Sequence, residues 1–235
     1  MENKDIYIVS YPRSGNTWLR FILANLYFDP VGGVDFTNIH EYSPETGKTY
    51  TTIESNDKPK IIKSHDSYRK EYKKVIYILR DGRDVYTSYY FYLKNMLPGS
   101  MTFNEFLLEA PVENGRWSGH VNSWRQNKAD NILFIRYEAM KKDIYSVIKS
   151  IAEFCDITID KNSISNAVNK SDFQTMAILE NKHGRGKYKS GPERFMRKGK
   201  IGDWKNIFDE DSKNIFKQFE GNLLVELGYE KDNNW

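Results

Sequence analysis

Short apolar runs alternate along this chain with longer stretches in which apolar positions recur every three or four residues. The short runs Ile6–Ser10, Lys60–Ser64, Val75–Arg80 and Ile132–Tyr137 are β-branched or aromatic and bounded by polar residues, which predicts strands. Several are almost wholly apolar, as in parallel strands covered on both faces. Helical spacing predicts helices over Asn16–Phe28, Asp84–Asn95, Phe103–Leu108, His120–Arg125, Asp143–Phe154, Lys161–Asn169 and Asp211–Leu227, with a capping box from Thr102 and Glu105. Strands interleaved with helices define an α/β fold: a central, mainly parallel sheet flanked by helices, with residues 1–235 forming a single domain. Two stretches break the pattern. Val31 to Asp57 is polar and rich in Gly, Pro, Thr and Ser, and Asn181 to Gly202 is rich in Gly, Lys and Arg. Loops this long in a compact domain are functional or disordered.

Composition changes this picture little. Apolar residues make up 39% of the 235, with 14% aromatic, enough for a core. The 35 basic against 32 acidic residues leave a net charge of +3, too small to argue for nucleic acid, and the basic clusters are split between loops and not arrayed on a helix. No apolar run approaches the length of a membrane span, and no cationic, apolar signal region opens the chain. Cys155 is the only cysteine, which excludes an intramolecular disulfide and fits a reducing compartment; its setting predicts a buried apolar role. Cytoplasmic localisation is the expectation. The four His residues are scattered, no acidic or Cys cluster has ligand spacing, and no metal is expected.

Three segments carry candidate chemistry. Tyr11-Pro-Arg-Ser-Gly-Asn-Thr-Trp18 joins the first strand to the first helix through a Gly turn, placing N–H groups at a helix N-terminus with Arg13, Ser14 and Thr17 beside them. That pattern suits an anion, though an ordinary strand-to-helix turn with Trp18 in the core fits as well. The nucleotide-triphosphate signature GxxxxGK[ST] is absent. Arg80 ends the third strand, where open α/β sheets bind ligands, and Ser88 lies one turn into the next helix; a surface Arg paired with Asp84 is the alternative. Arg197-Lys198-Gly199 and Trp204 form either a cationic loop anchored at its far end or a solvated basic loop. Trp117, His120 and Trp124 share one helix face, as a core stripe or as contacts to a ligand.

Together these pieces resemble the sulfotransferases that use 3′-phosphoadenosine 5′-phosphosulfate (PAPS), especially the cytosolic kind, over nearly the whole chain. Tyr11–Trp18 is similar to that family's P-loop-like 5′-phosphosulfate loop, with Arg13, Ser14, Gly15, Asn16, Thr17 and Trp18 contacting the cofactor. Arg80, Ser88, Arg197, Lys198 and Gly199 match its 3′-phosphate lock, and Tyr137 and Phe173 its adenine contacts. Lys63-Ser64-His65 matches its Lys-x-His motif. The resemblance implies that His65 is the general base, titrating near neutrality, while Lys63 and Arg13 stabilise charge on the bridging oxygen, with Glu54 or Asp66 as the fallback base. PAPS would be the donor, 3′-phosphoadenosine 5′-phosphate (PAP) the product, and a small-molecule or carbohydrate hydroxyl, less readily an amine, the acceptor.

Departures from the family carry expectations too. Arg13 replaces the usual Lys, Asn16 replaces a Thr, and polar Asp66-Ser67 follows His65. Asp209-Glu210 stands where the family's dimer motif has Thr-Val, which predicts a monomer. Two other functions compete. A P-loop-type small-molecule kinase would need a loop Lys and a carboxylate for magnesium, and a non-catalytic nucleotide-binding module would need neither Lys63 nor His65.

Overall fold

Four parallel strands make the centre of the molecule, in the order β2-β1-β3-β4: β1 Ile6–Ser10, β2 Ile61–Ser64, β3 Lys74–Leu79 and β4 Ile132–Arg136. The computed structural model describes residues 5–53, 59–97, 99, 101–110, 114–127, 129–184 and 196–235. Alternation along the strands divides the core. Val9, Val75, Tyr77 and Leu79 face one layer with the helices α3 Gly82–Leu93, α4 Phe103–Glu109, α5 Trp117–Arg125 and α10 Glu210–Glu226. Ile6, Ile8, Ile76 and Ile78 face the other, with α1 Asn16–Phe28, α7 Ile144–Phe154 and α8 Lys161–Lys170. Cys155 is buried in this second layer, and burial pushes its thiol up to about 12, so it serves as an apolar residue.

The chain leaves β1 for one edge, then crosses back over β1 to place β3 on its other side. Beside β1 the strand order therefore reverses, and a crevice opens at the strands' C-terminal ends. Local chemistry sets the ends of the flanking elements. Asp81 accepts the Arg83 N–H at 2.9 Å and starts α3 at Gly82, earlier than the apolar spacing indicates. Thr102 and Glu105 form the expected capping box on α4. Tyr137, expected to end β4, instead opens the short helix α6 Tyr137–Lys142. Two further helices come from sequence without strong amphipathic spacing: α2 Ile39–Tyr42, inside the first irregular stretch, and α9 Phe173–His183, capped by Asp172. Residues 185–195 of the second irregular stretch lie outside the described residues.

Candidate active site

The turn from β1 into α1 is built on unusual backbone. Arg13 has φ 69° and Gly15 φ 105°. The left-handed region is free for Gly15 and costs Arg13 about 1–2 kcal/mol. A Cβ on Gly15 would stand 2.6 Å from Cδ2 of Tyr137, so that ring packs directly on the loop backbone. Ser14 is only 1% exposed, and its hydroxyl has no partner among the described residues. The Asn16 amide turns inward and donates to the Ile8 carbonyl at 2.9 Å and the Ser10 hydroxyl at 3.4 Å. Asn16 therefore stitches the loop to β1 through its side-chain nitrogen.

Arg80 joins this loop to the C-terminal basic loop. Its Nη1 donates to the Arg13 carbonyl and its Nη2 to the Lys200 carbonyl, both at 3.0 Å, while its guanidinium lies 4.3 Å over the Tyr137 ring. At 7% exposure it is not a surface residue. Asp84 is 3.8 Å away and spends its carboxylate elsewhere, accepting the Gly202 and Trp204 N–H groups at 2.8 and 3.0 Å. Those bonds dock the basic loop on α3, and Trp204 anchors its far end beneath Arg83, 3.9 Å over the ring.

Within this frame Arg13 Nε donates to the Ser88 hydroxyl at 3.2 Å, and its guanidinium lies 4.6 Å over Tyr92. Arg197 and Lys198 both pair with Asp203, at 2.6 and 2.9 Å. Gly199 has φ 58°, and a Cβ there would stand 2.8 Å from the Phe173 ring. The Tyr137 hydroxyl donates to the Gly199 carbonyl at 3.2 Å, and Trp18 meets the Tyr137 ring edge-on. Among the described residues, the buried Nε of Arg80 and Nε of Arg197 have no hydrogen-bond partner. Buried donors left open beside tightly packed glycines are what a polyanionic nucleotide requires.

Lys63 and His65 bring the other end of the cleft together at the C-terminus of β2. His65 Nδ1 lies 2.7 Å from the Ser10 carbonyl. A carbonyl only accepts, so Nδ1 carries the proton and Nε2 is the basic nitrogen. Burial and the neighbouring Lys63 charge hold His65 down at about 3, against the pull of the Ser10 carbonyl. This corrects the expectation of a titration near neutrality: burial beside Lys63 keeps the imidazole neutral there. Lys63 pairs with Glu45 at 2.9 Å, and Glu45 also binds Lys48 at 3.0 Å. Burial and the nearby Arg20 charge lower Lys63 to about 8, with Glu45 acting in the opposite sense. For Glu45, burial raises the pKa, but Lys63 and Lys48 outweigh it and hold the carboxyl at about 2.

His120 is a core residue, 1% exposed. Its Nε2 donates to the His65 carbonyl at 3.0 Å, which leaves Nδ1 to accept from the Tyr77 hydroxyl at 2.9 Å. Asn114 donates to the same carbonyl at 2.7 Å, and Trp124 Nε1 donates to the Asp66 carbonyl at 3.0 Å. The aromatic stripe of α5 thus grips the backbone that carries His65. Of the fallback carboxylates, Asp66 is engaged by the Tyr72 and Ser64 hydroxyls at 2.5 and 3.0 Å, and Glu54 lies outside the described residues. Sequence reading missed Glu45, Arg20 and Asn114. Only the partnership of Glu45 with Lys63 across an isolated bridge reveals the first, and no motif announces it.

All the residues expected at the site line one cleft of about 720 Å³ except Ser14, which lies beneath it. Among the described residues no helix is long and apolar enough to cross a membrane. The sulfotransferase domain family matches residues 3–228 of the chain. The amine sulfotransferase of Oryctolagus cuniculus is 29% identical over 275 residues, spanning 100% of this chain and 88% of that protein. Human sulfotransferase 2A1 is 30% identical over 252 residues, spanning 97% of this chain and 88% of its own. The crystal structure of mouse sulfotransferase SULT7A1 complexed with PAP superposes with a TM-score of 0.68 at 25% identity, covering 97% of this chain and 90% of that one. The chain belongs to the sulfotransferase family and is an enzyme of that class. The kinase reading and the non-catalytic nucleotide-binding reading give way to it.

Proposed function

We propose that this enzyme transfers a sulfuryl group from PAPS to a hydroxyl of a small-molecule or carbohydrate acceptor, with His65 as general base. The observation that carries the reading is the single cleft, with the loop of Arg13 to Trp18, Arg80, Ser88 and the Arg197–Gly199 loop at one end and Lys63 and His65 at the other. The donor supplies an activated sulfuryl group on a phosphate that leaves. The loop N–H groups and Ser14 bind its phosphosulfate, and Arg80, Ser88, Arg197, Lys198 and Gly199 bind its 3′-phosphate. Tyr137, Phe173 and Trp18 enclose the base. His65 Nε2 takes the acceptor's proton, Lys63 places positive charge where negative charge develops, and Arg13 adds charge from the Ser88 side. None of these roles calls for a metal.

The rest of the cleft lining mixes Phe36, Ile39 and Tyr89 with Asn114 and Lys48, which suits an acceptor that is part aromatic or apolar and part hydroxylated. The similarity to an amine sulfotransferase keeps nitrogen acceptors in the test set. At the position of the family's dimer motif, Asp209 caps α10 by accepting the Ser212 N–H at 2.8 Å, and Glu210 pairs with Lys213. Those side chains are used within the chain, in keeping with a monomer; the lone buried cysteine is in keeping with the cytoplasm. The decisive experiment incubates the protein with radiolabelled PAPS and pools of hydroxyl and amine acceptors. Label should move to an acceptor with stoichiometric release of PAP and without added metal. No transfer, together with no binding of PAP, overturns the reading.

A further inference from the structure

Among the described residues one carboxylate of the cleft meets the reacting end, and the backbone puts it there. The Lys63 N–H donates to the Pro44 carbonyl at 2.8 Å, and the Thr46 N–H donates to the Lys63 carbonyl at 2.9 Å. Residues 44–46 therefore run as a parallel stub along the open edge of β2, with Glu45 paired to Lys63. On its other edge β2 is held by β1, Ile8 opposite Lys63. The two side chains are fixed abreast, 16% and 17% exposed, with Nζ 2.9 Å from Oε1.

The other charged or titratable groups facing this ammonium are Arg20 from α1, His40 from α2, Lys48 from the loop and His65 just past the end of its own strand. Arg20 is buried and tied to the Ser43 carbonyl and hydroxyl. Two largely buried cations, Lys63 and Arg20, with the exposed Lys48 at the rim, thus share this corner with a single anion among the described residues.

We infer that Glu45 is a positioning residue that keeps Lys63 charged and aimed into the cleft, so that an ammonium is ready when negative charge develops on the leaving oxygen. The inference rests on the proposed reading for its purpose, but not for its geometry. Like charges and burial both disfavour a buried ammonium, and an adjacent carboxylate reverses this. Without Glu45, Lys63 gives up much of its charge near neutrality and has less of it to offer the reaction.

The test reads Lys63 directly, in the full chain without nucleotide. The neutral amine alone reacts with acetic anhydride, so the pH dependence of Lys63 acetylation, resolved by tandem mass spectrometry, reports its ionisation. Glu45→Gln keeps the shape and removes the charge. It should move the Lys63 ionisation down by about one pH unit or more, the size expected for losing an adjacent opposite charge, and raise acetylation at pH 7 severalfold. Lys48→Met removes a neighbouring cation at the cleft mouth and should move the ionisation up. An unchanged or raised ionisation in Glu45→Gln overturns the assignment, whether or not sulfuryl transfer is found. If Glu45→Gln does not fold, Lys48→Met decides: an unchanged or lowered ionisation overturns it. Where transfer is measured, the alkaline limb of kcat/KM should shift with the labelling curve, and Glu45→Asp should restore it in part.

Discussion

The two ends of the cleft are specified by different physics. The end proposed to bind the nucleotide is held by backbone: left-handed residues at Arg13, Gly15, Gly199 and Gly202, rings of Tyr137 and Phe173 packed on two of those glycines, and Arg80 bonded to carbonyls of both loops. The reacting end is held by mutual electrostatics: Lys63, Glu45, Lys48 and Arg20 set one another's charge, and His65 is neutral because it is buried beside them. A backbone cradle binds one shape whatever the pH. An ionic corner sets reactivity and moves with any charge added or removed. Substitutions at the first end should alter affinity, and at the second turnover.

The largest separation should come from His65→Ala. Loss of a general base costs ~10²–10⁴-fold in turnover, while PAP affinity should be unchanged, because Nδ1 donates to the Ser10 carbonyl and the proposed work of Nε2 is on the acceptor, not the nucleotide. Steady-state kinetics with isothermal titration of PAP reads both. Near-normal turnover would remove His65 from the chemistry, and an equal loss of PAP affinity would erase the distinction between the two ends.

At the nucleotide end the complementary change is Arg80→Ala. Wild-type protein should be stabilised far more by PAP than by 5′-AMP, since a ligand at ~100 times its dissociation constant adds ~2.7 kcal/mol. Arg80→Ala should remove most of that difference by loosening both loops it bridges, and should leave the ionisation of Lys63 where it was. Equal thermal shifts from the two nucleotides in the wild type would argue that no 3′-phosphate lock exists.

The same division explains what can be read before folding. Backbone motifs leave local signatures: Ser14-Gly15 between a strand and a helix, Arg80 at a strand end, Arg197-Lys198-Gly199 in a basic loop, and all of these but Ser14 line the cleft. The four strands and most helices were equally legible, because periodicity reports which faces are buried. The ionic corner was not. Glu45 sits in the irregular stretch, and its bond to Lys63 depends on a strand-edge pairing that no spacing encodes. Asn16 reads as a loop donor but is drawn inward by the unsatisfied end of β1. His65 reads as a titrating base because an isolated imidazole is one; only its burial beside an ammonium shows otherwise. The stripe on α5 was open between core and ligand contact, and burial decides for the core.

A smaller effect sharpens the backbone side. Gly199→Ala forces a left-handed non-glycine residue and drives a Cβ to 2.8 Å from the Phe173 ring. The conformation alone costs ~1–2 kcal/mol, and displacing Phe173 should weaken PAP by about tenfold while turnover at saturation stays within about twofold. A variant that binds PAP normally would show that Phe173 is not part of the cradle.

The pH profile is the mildest perturbation and tests the ionic side. His65 is held at about 3, so it is already neutral at pH 5 and no acid limb centred near neutrality belongs to it. Lys63 is held at about 8: it is charged below that pH and loses its charge as the pH rises through it. The kcat/KM profile, which reports the free enzyme, should therefore be level from about pH 6 to 7 and fall on the alkaline side of 8. A bound phosphosulfate places negative charge nearby and favours the ammonium, so the alkaline limb of kcat should lie at higher pH than that of kcat/KM. Lys63→Arg, whose guanidinium stays charged across the range, should abolish that limb even though its lower rate reflects a misplaced charge. An acid limb near 6.5 that disappears in His65→Ala would return His65 to the ordinary range and make the reacting end as simple as its sequence suggests.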